Sequence, residues 1–126
     1  MPDQLTEVRD QIAEMLGWSI TDAPTLQHNP PAVVWRKGDK LSWVHPIPDS
    51  LDFVSRVWPD GWEWWRSEGR WTSGRMYVSL VLRIIDTGDE LTDRMTLLLK
   101  VLHWLRDNDR PAFDAACEKI RKECGK

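Results

Sequence analysis

The sequence lacks the features that mark membrane and secreted proteins. It contains no apolar run of about 18 residues, the minimum for a helix that spans a bilayer. Its first fifteen residues are acidic and amphipathic, whereas a signal peptide starts with positive charge and continues with an apolar stretch. We therefore expect a cytoplasmic protein with no membrane partner.

Cysteine is scarce, which argues against a disulfide framework and against a zinc site. The two cysteines, Cys117 and Cys124, fall on one predicted helix. Their separation there corresponds to a rise of about 10.5 Å, whereas a disulfide needs Cα atoms within about 7 Å. No further cysteine or histidine lies nearby to complete a metal site. We predict two small apolar side chains on one helix face.

Excess positive charge and recognisable catalytic motifs are also absent. The formal net charge is −3, whereas proteins that bind a phosphate backbone usually carry a clustered basic face. The chain has no glycine-rich phosphate loop, and no serine or cysteine stands at a recognisable spacing from a histidine. We therefore predict a non-enzymatic protein without catalytic residues, cofactor or metal, and the composition argues against a nucleic-acid partner.

Tryptophan is abundant. The chain has nine tryptophans but one tyrosine and two phenylalanines, and five of the tryptophans fall in WPDGWEWWRSEGRW, residues 58–71. Each indole can bury about 200 Å². An exposed row of them would be an unusually large apolar patch for a monomer, so we expect the indoles to fill the core. The alternative is a platform on which bases, sugars or a proline-rich peptide stack.

Hydrophobic periodicity predicts helices and strands in alternating groups. The predicted helices are 4–16, 49–58, 90–107 and 110–124, of which the third is the strongest because leucines recur along one face from Leu91 to Leu105. Thr87 and Glu90 fit a capping box at its start. Residues 19–31, which contain three prolines, are predicted to form a loop.

Two hairpins supply the predicted strands. The first covers residues 32–45 and turns at Gly38-Asp39, which pairs Val33 with Val44, Val34 with Trp43 and Trp35 with Ser42. The second joins strands 62–67 and 75–85, through either a tight turn at Glu68-Gly69 or a looser one at residues 72–74. These alternatives place different side chains on each face.

The tight turn makes a specific prediction about side chains. It sets Arg66 opposite Trp71, where the guanidinium can stack on the indole. An indole-rich set would then lie on the face opposite the apolar stripe of the last strand. That set is Trp62, Trp64, Arg66, Trp71, Ser73 and Tyr77; the stripe is Met76, Val78, Leu80, Leu82 and Ile84.

These elements predict an α+β fold in one domain, residues 1–126. The expected architecture is a small antiparallel sheet of about four strands between two layers of helices, in the order α-ββ-α-ββ-α-α. Helices 90–107 and 110–124 could pack within one subunit or across a dimer, so a homo-oligomer remains open.

One acidic segment suggests an alternative chemistry. Asp86-Thr87-Gly88 after an apolar strand is similar to the active-site triplet of aspartic proteases, in which two aspartates share a proton and activate water. Here, however, a leucine-rich helix follows at once and no second matching strand is present. A hydrolase that uses Asp86 is the remote alternative. Asp89, Glu90 and Asp93 could join Asp86 around a cation, but acidic residues at a helix start normally interact with the helix dipole.

Four segments resemble the phage ABA-sandwich family of small bacteriophage and prophage proteins. They are IAEMLGW (12–18), IPDSLDFVSRVWP (47–59), GWEWW (61–65) and IIDTGDELTDRMTLLLKVLHWL (84–105). The resemblance covers residues 4–107, with 108–126 as an added helix. It implies helices on both faces of the sheet and transfers no site residue. It also implies an accessory protein that binds a host or phage macromolecule, as an inhibitor of host function or defence does.

A partner surface is predicted at the tip of the second hairpin. Arg66, Arg70 and Arg75 surround Trp71 in the sequence, and arginine with tryptophan is the composition favoured at the centres of protein interfaces. These four residues are therefore the candidate contacts for a protein partner, and the alternative is a solvent-exposed hairpin tip with ordinary arginines. The aromatic-platform module, which would bind single-stranded nucleic acid or carbohydrate, is the alternative function.

Overall fold

The computed structural model describes residues 4–22, 33–75 and 80–125 and shows an α+β protein. In chain order the elements are α1 (Gln4–Met15), β1 (Ser19–Asp22), β2 (Val33–Lys37), β3 (Lys40–Ser42), α2 (Leu51–Arg56), β4 (Trp62–Ser67), β5 (Arg70–Arg75), β6 (Val81–Ile85), α3 (Glu90–Asn108) and α4 (Arg110–Cys124). All four predicted helices are present. Within the described ranges, no helix is both long and apolar enough to cross a membrane.

The strands form two separate three-stranded antiparallel sheets, β1-β2-β3 and β4-β5-β6, rather than the predicted sheet of about four strands. The observed order is α-βββ-α-βββ-α-α. The prediction was wrong because each hairpin gains one additional strand. Strand β1 lies in a segment whose three prolines predict a loop, and β6 is separated from β5 by a chain reversal that the apolar alternation of residues 75–85 does not reveal.

The first sheet contains the predicted hairpin with one unpredicted neighbour. The chain turns after Lys37, with Gly38 at a φ of 58°, and Trp35 pairs with Ser42 as expected. Strand β3 ends at Ser42, so the ladder does not extend to the other predicted pairs. Strand β1, which pairs with β2, lies in the segment predicted as a loop, and residues 23–31 of that segment are outside the described ranges.

The second sheet turns tightly at Glu68 and Gly69, whose φ angles of 53° and 74° lie in the left-handed region. Arg66 consequently pairs with Trp71, which confirms the tight alternative. The predicted single strand 75–85 is wrong, because the N–H of Arg75 donates to the carbonyl of Leu80 at 3.2 Å and the chain reverses between them. The predicted face positions of Met76, Tyr77 and Val78 lie outside the described residues.

This extra reversal changes which side chains share a face. Trp71 pairs with Ile84 and Ser73 pairs with Leu82, so the indole row and the apolar stripe lie on the same side of the sheet. The prediction of opposite faces is therefore wrong. We call this side the inner face. It packs against α3, and Trp71, Ser73 and Trp62 are buried there.

The opposite side, which we call the outer face, is not covered by a described helix. Its nine positions are Glu63, Trp65, Ser67, Arg70, Thr72, Gly74, Val81, Arg83 and Ile85. Trp65 and Val81 are each 42% exposed and Ile85 is 78% exposed. The predicted layer of helices on both faces is thus not found at this sheet, where the helical cover lies on the inner face.

The core contains many of the indoles, as predicted from their abundance. Trp35, Trp58, Trp62 and Trp71 are buried, Trp18 and Trp104 are partly buried, and Trp43, Trp64 and Trp65 are exposed. The buried indoles pack with leucines of α3 and with residues of α1, α2 and α4 in one hydrophobic cluster. Some tryptophans therefore fill the core as predicted, whereas others are exposed, as the platform alternative would require.

A buried carboxyl group joins the second sheet to α3. Asp93 is 0% exposed, and its oxygens accept hydrogen bonds from Trp71 Nε1 at 3.1 Å and from Thr87 Oγ1 at 2.6 Å. The N–H of Thr87 donates to the same group. The predicted capping box is wrong, because Asp89 is the N-cap of α3 and Thr87 binds Asp93 instead of the helix terminus.

Both cysteines lie on α4 as free thiols. Cys117 is buried and Cys124 is partly buried. Burial raises the pKa of Cys124 to about 11, so that this thiol is protonated at neutral pH.

Replacement of Asp93 by alanine should destabilise the fold strongly. The substitution leaves the donors of Trp71 and Thr87 buried without an acceptor, so we expect the free energy of unfolding to fall by about 3 kcal/mol in urea denaturation. Asp114→Ala, which removes an exposed carboxylate from α4, is the control and should change stability by less than about 1 kcal/mol. Equal effects of the two substitutions would show that the Asp93 network does not hold the sheet against α3.

Candidate binding face on the second sheet

The outer face is ordered in rows by the register of its strands. Trp65 pairs with Thr72, which pairs with Arg83, so these three residues form the middle row. Arg70 and Ile85 pair directly in the row next to the tight turn. An apolar, an aromatic and two basic side chains thus lie within reach of one another.

Trp65 lies against the neighbouring strand because of a glycine. A Cβ on Gly74 would stand 3.1 Å from Cη2 of Trp65, closer than side-chain carbons normally approach. The absence of a side chain at Gly74 therefore lets the indole rest on β5. One side of the ring covers the sheet, while the residue remains partly open to solvent.

A shallow cavity of about 310 Å³ opens beside this indole. Trp65 and Val81 supply its apolar wall, and Arg70, Arg83 and Glu68 bring charge to its rim. Its volume is at the lower end of the range for ligand pockets and is enough for one side chain or one base.

Arg70 and Arg83 are unusual among the arginines of this chain. Both are exposed, and neither has an ion pair or a side-chain hydrogen bond within the described residues. The arginines that pair with carboxylates are Arg56, Arg66, Arg75, Arg94, Arg106, Arg110 and Arg121. Arg9 and Arg36 donate to backbone carbonyl oxygens.

The four residues predicted to bind a partner are divided between the two faces. Arg66 stacks on Trp71 with 5.7 Å between the guanidinium carbon and the ring centroid, as expected, but Trp71 is 2% exposed and belongs to the core. Arg75 pairs with Asp109 at 2.7 Å. Arg70 is the predicted residue that lies on the outer face. The sequence therefore did not separate the two faces of this hairpin, and the partner surface stays a prediction.

Asp86, the residue of the remote hydrolase alternative, has intramolecular partners. The N–H of Gly88 donates to Oδ1 at 2.7 Å and Arg66 donates to Oδ2. The hydrogen bond from Gly88, with the contributions of Arg66 and Asp93, lowers the pKa of Asp86 below its usual value. All four carboxyl oxygens of Asp86 and Asp93 thus accept from donors of this chain, which is an arrangement that supports the turn before α3.

The acidic residues near the start of α3 do not gather around a common centre. The carboxylate of Asp89 accepts from the hydroxyl of Thr92, whereas Asp86 and Asp93 have the partners given above. Across the described parts of the chain, no group of three histidine, cysteine, aspartate or glutamate side chains is placed to hold a metal ion.

His45 has a partner that sequence inspection missed. The N–H of Ile47 donates to Nδ1 at 3.0 Å, so the ring proton lies on Nε2, which donates to Asp10 at 2.8 Å. The ring also packs on Trp35 with centroids 4.6 Å apart. Because both nitrogens are engaged, this pair ties α1 to the segment after β3 and is not arranged as a catalytic base. Asp10 lies 35 residues away in sequence, so no local spacing revealed it.

The chain matches no family model, no curated protein and no solved structure. The resemblance to phage ABA-sandwich proteins therefore stays a prediction.

Acidification should destabilise the protein through the partly buried imidazoles of His45 and His103. Burial lowers the pKa of His45 and of His103. The unfolded chain, with histidine pKa values near 6.5, then takes up protons that the folded protein does not. We expect the free energy of unfolding to be constant above about pH 7 and to fall as the pH decreases below about 6.5.

Urea denaturation across this pH range checks the expectation. His45→Gln should reduce the slope, because one group that titrates differently in the two states is removed. His103→Gln serves as the parallel variant. A free energy of unfolding that rises on acidification would contradict the assignment.

Proposed function

We propose that this chain is a non-enzymatic binding protein whose outer face docks onto another protein. The observation that carries the proposal is the composition of that face, where Ile85, Val81 and Trp65 are exposed beside Arg70 and Arg83. Large apolar side chains on the solvent side of a sheet are costly in water. Such groups, together with arginine, are typical of the centres of protein interfaces.

The alternation along β6 supports this proposal. An antiparallel sheet that packs on one side usually presents polar side chains on the other. In β6 the inner positions Leu82 and Ile84 pack against the core, yet the outer positions Val81 and Ile85 are also aliphatic. Val81 and Ile85 are exposed on the outer face and are not part of the core. A docking role accounts for their aliphatic character.

A protein fits this surface better than a nucleic acid does. Trp65 is the one aromatic residue among the nine outer-face positions, whereas single-stranded nucleic acids usually bind to several stacking rings in a strongly basic groove. Aliphatic residues such as Ile85 offer no stacking surface to a base. The formal net charge of −3 also differs from that of typical phosphate-backbone binders, which carry many clustered basic side chains.

The scaffold behind the outer face favours binding with little rearrangement. The inner face is fixed to α3 by buried apolar contacts and by the hydrogen bond from Trp71 to Asp93. Docking onto a sheet that is already held from behind costs less ordering entropy than docking onto a loop. The partner we propose is a host or phage protein, in keeping with the accessory role that the family resemblance implies.

Selection from a displayed library of random peptides tests the docking surface. We expect peptides bound by the wild-type protein to lose at least about tenfold in affinity with Ile85→Ser or Trp65→Ala, because both remove apolar area from the centre of the interface. The affinity is measured by fluorescence anisotropy of the labelled peptides.

Val44→Ser is the matched control, since Val44 is 75% exposed and lies near the first sheet. It should leave binding unchanged. Selected peptides whose affinity is insensitive to both outer-face substitutions, or a selection that enriches no peptide, would contradict the proposal.

A further inference from the structure

We propose that the partner presents an acidic segment, with carboxylates that pair with Arg70 and Arg83 next to an apolar residue that contacts Ile85. This inference rests on the proposed function and names the chemistry of the partner. Its basis is that Arg70 and Arg83 have no ion pair or side-chain hydrogen bond within the described residues, whereas the other arginines do.

Pairing is the rule for arginine in this protein. Every other arginine forms an ion pair with a carboxylate or donates to a backbone carbonyl, including exposed ones such as Arg106 and Arg110 on the helices. The two exceptions lie together on the outer face rather than at separate places on the surface. Two arginines without an ion pair on one small surface favour an anionic partner there.

The register brings these two charges close. Arg70 pairs with Ile85 and Arg83 pairs with Thr72, so the arginines are diagonal neighbours on adjacent strands. Diagonal side chains start about 7–8 Å apart at the backbone, and flexible guanidinium groups can close that distance. Their mutual repulsion is relieved when a carboxylate lies between them, and the planar guanidinium matches a carboxylate with two parallel hydrogen bonds.

The acidic residues of the protein itself leave these arginines available. Glu68 lines the same cavity from the tight turn, yet it forms no ion pair with Arg70 or Arg83 in the described structure. The cavity beside Trp65 has room for one side chain. Arg83 and Trp65 both line this cavity, so a carboxylate that enters it can contact the guanidinium and the indole.

The apolar neighbours distinguish an acidic protein from a phosphate polymer. Ile85 adjoins Arg70 in the same row, and Val81 lies on the same strand as Arg83. A segment that alternates acidic and apolar side chains can satisfy all four positions. A nucleic acid can pair its phosphates with the arginines, but it leaves the two aliphatic side chains in contact with polar groups.

Sequencing and charge reversal of the selected peptides test the inference. We expect enrichment of peptides that contain aspartate or glutamate beside an apolar residue. Their affinity should fall at least about tenfold with Arg83→Glu or Arg70→Glu, because like charges then face each other. Replacement of the peptide carboxylates by lysine should restore binding to the Arg→Glu variants. Lys122→Glu, an exposed charge reversal on α4, is the control and should have little effect.

The outcomes separate this inference from the proposed function. Peptides that depend on Ile85 and Trp65 but contain no carboxylates, or that bind Arg83→Glu as well as the wild type, would overturn the inference and leave the proposed function standing. Peptides whose affinity is unchanged by Ile85→Ser and by Trp65→Ala would overturn the inference and the proposed function together. Labelled oligothymidylate is the second probe, and its binding through Trp65 and Arg83 in preference to acidic peptides would also overturn the acidic-segment assignment.

Discussion

The hydrogen-bonded carboxyl group of Asp93 is the constraint on which the second half of the structure depends. Asp93 belongs to α3, and its carboxyl group accepts hydrogen bonds from Trp71 in β5 and from Thr87 in the turn after β6. One buried group therefore fixes a strand, a turn and a helix relative to one another. Because Trp71 is held toward α3, the alternation along the strands directs Trp65, Arg70 and Arg83 away from it. The outer face is thus a consequence of how the inner face is anchored.

Arginines that stack on indole rings connect the tryptophans of this protein to its charged surface. Arg94 stacks over Trp64 with 4.0 Å between the guanidinium carbon and the ring centroid, and Arg75 lies 5.6 Å from the ring of Trp104. Each arginine covers the face of an indole and also pairs with a carboxylate. This arrangement joins the indole layer to the charged surface through cation–π contacts. Arg70 and Arg83 do not take part in this pattern.

Much of the secondary structure could be predicted from the sequence, whereas the faces of the second sheet could not. The leucines of α3 follow from local spacing. The turn at Glu68-Gly69, with Arg66 stacked on Trp71, is one of two alternatives that the sequence leaves open. The reversal between Arg75 and Leu80 interrupts RMYVSLVLRII, whose apolar alternation contains no glycine or proline and predicts one continuous strand. A missed reversal changes the direction of the following strand and hence which side chains share a face. The placement of Arg83 and Ile85 on the outer face could not be predicted for this reason. The contact between Asp10 and His45 depends on tertiary packing alone.

Hydroxyl-radical footprinting read by mass spectrometry measures most directly whether the two faces differ as described. The oxidation rates of Trp65 and Trp71 are compared in the free protein and with a bound peptide. We expect Trp65 to react rapidly and Trp71 slowly when the protein is free, with selective protection of Trp65 in the complex. Equal rates at the two indoles in the free protein, or protection by the peptide that leaves Trp65 unchanged, would contradict an anchored inner face and a binding outer face.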